Sequence, residues 1–440
     1  MLSVHTCPLA TLGGKETGGM NVYVRDLSRE LARRGHHVDV YTRSQDSSMP
    51  RINPGLGRGA RVIHLPAGPE HPYDKHLVYD HLPEFVDGVL AQAEADGLRY
   101  DVLHSHYWLS GVVARDLRQH FLDAAPGGPR TSPRASAGRD RSPSVTPSAA
   151  ERSGSRRVPI VHMFHTLGKM KNAVAQRPEE RETGRRIAVE TEIVRFADAV
   201  VAATHAEREQ LLRLYRADPD RIRVISPGVD AERFHPIPEG FAKEQIGLCP
   251  ERRTILFVGR IEPLKGIDNL LRAIALITAG HPDLREGLCV SIVGGDPDRV
   301  REDDEMMRLQ ELREELGIGD VVTFLGAKDQ DTLQYYYSAA EVVVMPSDYE
   351  SFGMVALEAM ACGTPVIASD VGGLAYLVKH GRTGYRVPAR DPEALADKIT
   401  RLLTDEALRR RIGQRAACWA ESYAWPRIAD QIEALYQELI

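Results

Sequence analysis

Glu350 and Glu358 stand eight residues apart, in a segment that leaves the apolar run EVVVMPS (341–347) and ends at Gly363-Thr364-Pro365. On a helix that spacing is a rise of about 12 Å. The two carboxylates are too far apart to share one proton, but they suit the two ends of an elongated ligand. With the main-chain amides of Phe352, Gly353 and Met354 at the helix start, they could receive sugar hydroxyls. The alternative is a helix-dipole partner plus a solvated Glu358, which fits poorly with the small and apolar neighbours. A second candidate is Gly18-Gly19-Met20-Asn21, which opens a helical pattern running to Gly35. Paired glycines let a ligand approach the backbone, and a helix start offers free N–H groups to an anion. A third is FVGRIEPLKG (257–266), where Arg260 and Lys265 follow a strand and could neutralise a diphosphate. Alone, the last two patterns also fit a plain tight turn and two solvated cations.

Such groups need strands that deliver them to one edge. Short apolar runs alternate with amphipathic helical patterns along nearly the whole chain. HVDVYT (37–42), DVLHSH (101–106), PIVHMFH (159–165), AVVAAT (199–204) and RVISP (223–227) read as strands of a first unit. TILFVG (254–259), CVSIVGG (289–295), VVTFLG (321–326), EVVVMPS and PVIAS (365–369) form a second set. Continuous apolar strands between helices predict parallel sheets covered on both faces, an α/β fold. The alternation occurs on both sides of SPGVDAERFHP (226–236). This predicts two doubly wound, Rossmann-like domains with a boundary near residue 228, facing each other across a cleft. Ligands then bind beyond the carboxyl ends of the strands, where the candidate residues fall.

Composition narrows the classes further. The 440 residues exceed one ordinary core, and the net charge of −6 argues against a general nucleic-acid or membrane-surface binder. No apolar run approaches a membrane span, and the start of the chain lacks a secretory signal, so a cytoplasmic protein is expected. Residues 124–157 carry seven arginines against Asp140 and Glu151, about +5, which leaves about −11 for the rest. Rich in Pro, Ser, Gly and Arg, this piece reads as a disordered basic insertion. The five cysteines (Cys7, Cys249, Cys289, Cys362 and Cys418) form no CxxC pair and read as buried thiols, with no metal site.

GGMNVYV, HSHYWLSG, FHTLGKMKN, FVGRIEPLKGID and ESFGMVALEAMACGTPVIAS together resemble the retaining glycosyltransferases of family four, also called group 1. The resemblance implies the GT-B fold: residues 1–228 as an acceptor domain and 229–425 as a nucleotide-sugar domain. Residues 426–440 would be a helix packed back on the first domain. It implies that Arg260 and Lys265 bind the donor diphosphate, Gly19 approaches it from the first domain, and Glu358 holds the ribose. Glu350, with the amides of Phe352 to Met354, would contact the donor sugar. Lys328, in the loop 325–328, would lie by the base, and His165 beside the reacting carbon. Within the family, the N-terminal half most resembles the branch that glycosylates inositol phosphate. That maps His5, Asn21, Lys75, Tyr107, Thr166 and Arg185 to the acceptor, with Arg186 adjacent. The Leu-Gly-Lys after His165-Thr166 leans toward the sucrose-phosphate pattern, with fructose 6-phosphate as acceptor. The family's first strand normally has more apolar residues before SVHT, which leaves open whether Met1 is the true start.

The expected reaction moves glucose or N-acetylglucosamine from a UDP-sugar to a phosphorylated polyol or sugar. Anomeric configuration would be kept, with the nucleotide sugar as co-substrate and no cofactor required. Catalytic roles would fall to Glu350, His165, Lys265 and Arg260. A homodimer is left open. Two other readings fit less well: a nucleotide-sugar sensor without turnover, and a phosphorylase, which would need a pyridoxal-lysine site that the sequence does not show.

Overall fold

The computed structural model describes residues 1–10, 17–123, 157–175, 177–296 and 304–440. The basic segment read as a disordered insertion lies outside them, apart from Arg157. The first sheet contains β1 (Val38–Arg43), β2 (Ile52–Asn53), β3 (Ala60–Leu65), β4 (Leu103–His106), β5 (Ile160–Met163), β6 (Ala199–Ala202) and β7 (Ile222–Val224). Its two parts run in the orders β1-β3-β2 and β4-β5-β6-β7, parallel except for β2. Leu2 joins them, bridging Tyr41 on one side and Ser105 on the other. The first segment of the chain therefore lies in the middle of the sheet.

The second sheet is parallel throughout. It comprises β8 (Arg253–Val258), β9 (Leu288–Val293), β10 (Val322–Gly326), β11 (Val342–Met345), β12 (Val366–Ser369) and β13 (Gly384–Val387), in the order β10-β9-β8-β11-β12-β13. Its central strands are fully buried, which is why they read as unbroken apolar runs. Helices cover both faces of both sheets, giving the GT-B arrangement of two Rossmann-like units.

Most strands end one to three residues before the sequence runs that announced them. The run expected to end at His165 stops as a strand at Met163, because His165 takes φ +62. The cysteine expectation needs correction too. Cys289 and Cys362 are buried, but Cys7 is only half-buried, and Cys249 and Cys418 are exposed.

The chain crosses between the units twice, side by side. The Val229 amide donates to Tyr423 O at 2.8 Å, and the Trp425 amide to Val229 O at 3.2 Å. The last helix, Trp425–Leu439, then lies against the first domain. Arg34 pairs with Asp430 at 2.7 Å, and Tyr436 Oη contacts His104 Nδ1 at 2.6 Å. One hydrophobic core runs from Leu27 through Trp425 and Ile428 to Phe352 and Leu357, so it is continuous across both units.

A cleft between two strand edges

A cavity of about 260 Å³ lies between the carboxyl edges of the two sheets and takes its lining from both. Gly19 begins the first long helix, Gly19–Arg33, and Met354 begins the helix Met354–Ala361 of the other domain. A Cβ on Gly19 would sit 3.1 Å from Met354 Cγ, so only a glycine lets these two helix starts come so close without displacing that side chain. Each start carries about half a positive charge and unsatisfied N–H groups. Arg260 and Lys265, from the loop after β8, line the same space. Lys265 Nζ lies 2.5 Å from Glu350 Oε2, and Arg260 lies 2.7 Å from Glu262.

Glu350 sits in the loop after β11, ahead of the helix, because Gly353 caps that helix at φ +104. Its loop is seated on Gly372 and Gly373. The Gly373 amide donates to Glu350 O at 2.8 Å. At Gly372, with φ +44, a Cβ would lie 2.1 Å from that oxygen. Sequence reasoning missed this pair; its signal was the double glycine directly after β12.

On the opposite wall, Tyr107 follows β4 and His165 follows β5. Both take positive φ, +70 and +62, among four such non-glycine residues in the described chain. Strained backbone of this kind concentrates at functional sites. His165 Nε2 lies 3.1 Å from His106 Nδ1, and its ring packs edge-on against Tyr23. Burial lowers its pKa to about 3, so the ring is neutral at pH 7. The His5 ring lies tilted against Tyr107, centroids 4.4 Å apart, and its pKa is also lowered to about 3, by burial and then by Lys75 and Arg186.

The acceptor-side residues form one network around Arg186. Its guanidinium donates to Tyr107 Oη at 2.8 Å, to Thr166 O at 2.8 Å and to Glu190 at 2.7 Å, and lies 2.8 Å from Glu182. Glu182 also holds Lys171 Nζ at 2.6 Å. Burial alone would raise the Glu182 carboxyl, but Arg186 and Lys171 outweigh it and hold it at about 2. Lys75, Lys171 and Arg186 all line the cleft. Lys171 and Glu182 were not singled out from sequence, although Lys171 lies inside the quoted FHTLGKMKN. Asn21 lines the cleft as well. Its amide donates to Thr6 Oγ1 and Cys7 O, both at 2.7 Å, so its hydrogens brace the loop from within.

Three expected ligands lie elsewhere. Arg185 is exposed, 3.5 Å from Asp80 and over the Tyr79 ring, because one step along the helix Gly184–Phe196 turns it about 100° away from Arg186. Lys328 follows β10 and is not part of the cleft lining. Glu358 is buried behind the lining: Tyr337 Oη donates to it at 2.7 Å and Gln330 Nε2 at 3.2 Å. Gln330 accepts in turn from Arg233 at 2.9 Å and from Arg25 of the first domain. Burial first, and Asp26 further off, push the Glu358 carboxyl up to about 7, against a partial lowering by Tyr337.

The fold and cleft define a GT-B protein with a cation-lined seam between its domains, and comparison with known proteins agrees on the fold. Residues 239–419 match the family model for glycosyl transferases group 1, residues 18–130 a glycosyl transferase 4-like domain, and residues 141–233 glycosyltransferase family 4. The chain belongs to the group 1 glycosyltransferases. It is 40% identical, over 100% of its length and 94% of the relative's, to D-inositol 3-phosphate glycosyltransferase 2 of Catenulispora acidiphila. It is 39% identical to the D-inositol 3-phosphate glycosyltransferase of Saccharomonospora viridis, over 100% of this chain and 93% of that one. Among solved structures it is similar to a sucrose-phosphate synthase from Thermosynechococcus elongatus, with TM-score 0.82 and 35% identity over 100% and 98% of the two chains. The fold also matches Anabaena HepE in complex with UDP and glucose, with TM-score 0.71 and 20% identity over 99% of each chain. No helix among the described residues is long and apolar enough to cross a membrane.

Proposed function

We propose that this glycosyltransferase moves a hexose from a UDP-sugar to a phosphorylated acceptor in the cytoplasm, with retention of anomeric configuration, and that inositol phosphate is the acceptor. One observation carries the reading. A single cleft has two sets of cations drawn from different domains, Arg260 with Lys265 and Lys75 with Lys171 and Arg186, and Glu350 and His165 line the same space. Two anionic substrates meeting at one sugar carbon need that arrangement. The names of the curated relatives support the inositol phosphate assignment.

In this reading Arg260 and Lys265 take the donor diphosphate, helped by the two helix starts, and Glu350 orients the sugar hydroxyls. The ion pairs to Glu262 and Glu350 pre-position both cations. The acceptor oxygen forms its bond to the sugar carbon on the face from which the diphosphate oxygen departs. The hydroxyl proton passes to that departing oxygen, so charge and atoms balance without an enzyme nucleophile. A neutral His165 borders the carbon without supplying a proton. Glu358 lies behind the lining and Lys328 beyond it, so in this reading the ribose and base reach them only as the donor opens the cleft toward that wall, and Glu358 holds the ribose once ionised. Domain closure completes the site, because donor and acceptor groups come from different domains.

A second reading, transfer to fructose 6-phosphate, is favoured by the similarity to the sucrose-phosphate synthase. A matrix assay decides between them. UDP-glucose, UDP-N-acetylglucosamine and GDP-mannose are each paired with inositol phosphate, fructose 6-phosphate and unphosphorylated inositol, and nucleotide release is read. Release with inositol phosphate alone is expected. Equal release with the unphosphorylated polyol refutes the phosphate-site assignment, and UDP binding without release in any pair refutes turnover.

A further inference from the structure

A second concavity, of about 680 Å³, lies on the nucleotide-sugar domain and shares no lining residue with the cleft. Its walls come from the segment 375–386 and from the helix Glu406–Ala420. Four of its lining residues are cationic (Lys379, Arg382, Arg386 and Arg415), and none is acidic. In a protein of net charge −6 this is a locally positive surface.

The cations differ in how far they are satisfied. Arg386 donates to Asp370 at 2.9 Å and to Ala375 O at 3.2 Å, yet its buried Nε has no partner among the described residues. Among the described residues, the side chains of Arg382 and Arg415 form no hydrogen bond and no ion pair. Lys379 donates to Tyr376 O at 2.8 Å and lies over the rings of Tyr376 and Trp419, at 4.8 and 5.0 Å. Two aromatic faces thus pin one ammonium in place. Trp419 is fixed by its own Nε1 donating to Leu377 O at 3.1 Å. Arg415 and Trp419 are four residues apart on one helix and face the same opening. Four cations that share one carboxylate, the Asp370 that pairs with Arg386, still repel one another, and a bound anion relieves that cost.

We infer that this concavity is an accessory anion site that takes a phosphate-bearing group through Arg382, Arg415, Lys379 and the unpartnered Nε of Arg386. A small phosphorylated metabolite and an anionic lipid headgroup share that chemistry. The site backs onto the donor loop: Tyr423 packs between Trp419 and Phe352, with ring centroids 5.6 and 6.0 Å away.

Trp419 provides the readout, because the other two tryptophans, Trp108 and Trp425, are buried. Inorganic pyrophosphate is titrated into the full chain while tryptophan fluorescence is followed, and Trp419→Phe serves as the blank. Sedimentation with phosphatidylglycerol vesicles forms the second arm. A saturable Trp419 signal assigns a free phosphorylated ligand, and vesicle binding alone assigns a headgroup. In either arm Arg382→Ala/Arg415→Ala is expected to weaken binding about tenfold or more, since each lost charge-assisted contact is worth about a factor of ten. Both substitutions are exposed, and circular dichroism and melting temperature verify the fold. The inference is overturned if neither arm shows binding up to about 10 mM pyrophosphate, the limit of a specific weak site. It is equally overturned if the double variant binds as the parent does.

Discussion

Replacing Glu358 by Gln tests the buried carboxylate directly. Its pKa rises from the ordinary 4.5 to about 7 because burial disfavours the charge. Between those values the unfolded chain has released the proton while the native state retains it. Stability therefore falls as pH climbs from about 4.5 to 7 and stays at the lower level above that. At about 1.4 kcal/mol per pH unit the deficit reaches about 3 kcal/mol. Gln keeps the shape and cannot ionise; its carbonyl accepts from Gln330 and its amide donates to the Tyr337 hydroxyl. The variant should match the parent in stability near pH 4.5 and exceed it progressively above. For a domain of about 200 residues the plateau difference is roughly 6–12 °C in melting temperature. The assay is a series of calorimetric scans of both proteins from pH 5 to 8. A gap that does not change with pH would refute the account, because only a proton held by Glu358 makes it grow. Donor binding should move the other way: the parent's KM for the UDP-sugar falls as pH rises through 7, and the variant's stays high and flat. Glu358 would then be a residue whose function costs the fold stability.

Three further outcomes are expected. Lys265→Ala should lower kcat by about 10²–10³ with an unchanged melting temperature, and near-parental nucleotide release would remove Lys265 from the diphosphate site. Gly372→Ala drives a Cβ into Glu350 O, so turnover should collapse along with a loss of about 1–3 kcal/mol in denaturant unfolding; intact kcat would show that the Glu350 loop does not depend on that seat. Arg186→Lys keeps the charge but not the fork between Tyr107, Thr166 and Glu190. The acceptor KM should rise about tenfold while the donor KM holds, and equal changes in both would point to a general loss of structure.

The sheets were legible because parallel strands covered on both faces leave an unbroken apolar signature, and the cleft because its groups follow strand ends. What stayed hidden depended on rotation and on distant partners. Arg185 and Arg186 are chemically identical neighbours; only the helix phase set by Glu190 and Thr166 turns the second one inward. Glu358 looked like an open ligand until Tyr337 and Gln330, from a helix more than 20 residues away, closed over it. The Lys171–Glu182 pair spans an irregular stretch with no periodicity to link the two residues. Gly372 and Gly373 resembled an ordinary turn, since nothing local says that the backbone of Glu350 rests on them.

The doubled crossing at Val229 and Tyr423–Trp425 has a mechanical consequence. A single connecting strand would behave as a tether and let one half swing, slide or twist freely against the other. Two crossings joined by a pair of backbone hydrogen bonds act as a double hinge, which resists shear and torsion more than one crossing does. Sliding and twisting between the halves are restrained at this joint, so an opening about it should return Gly19 to Met354 along a similar path. Register between the two walls is thereby built into the joint and need not be recovered by the substrates at every turnover.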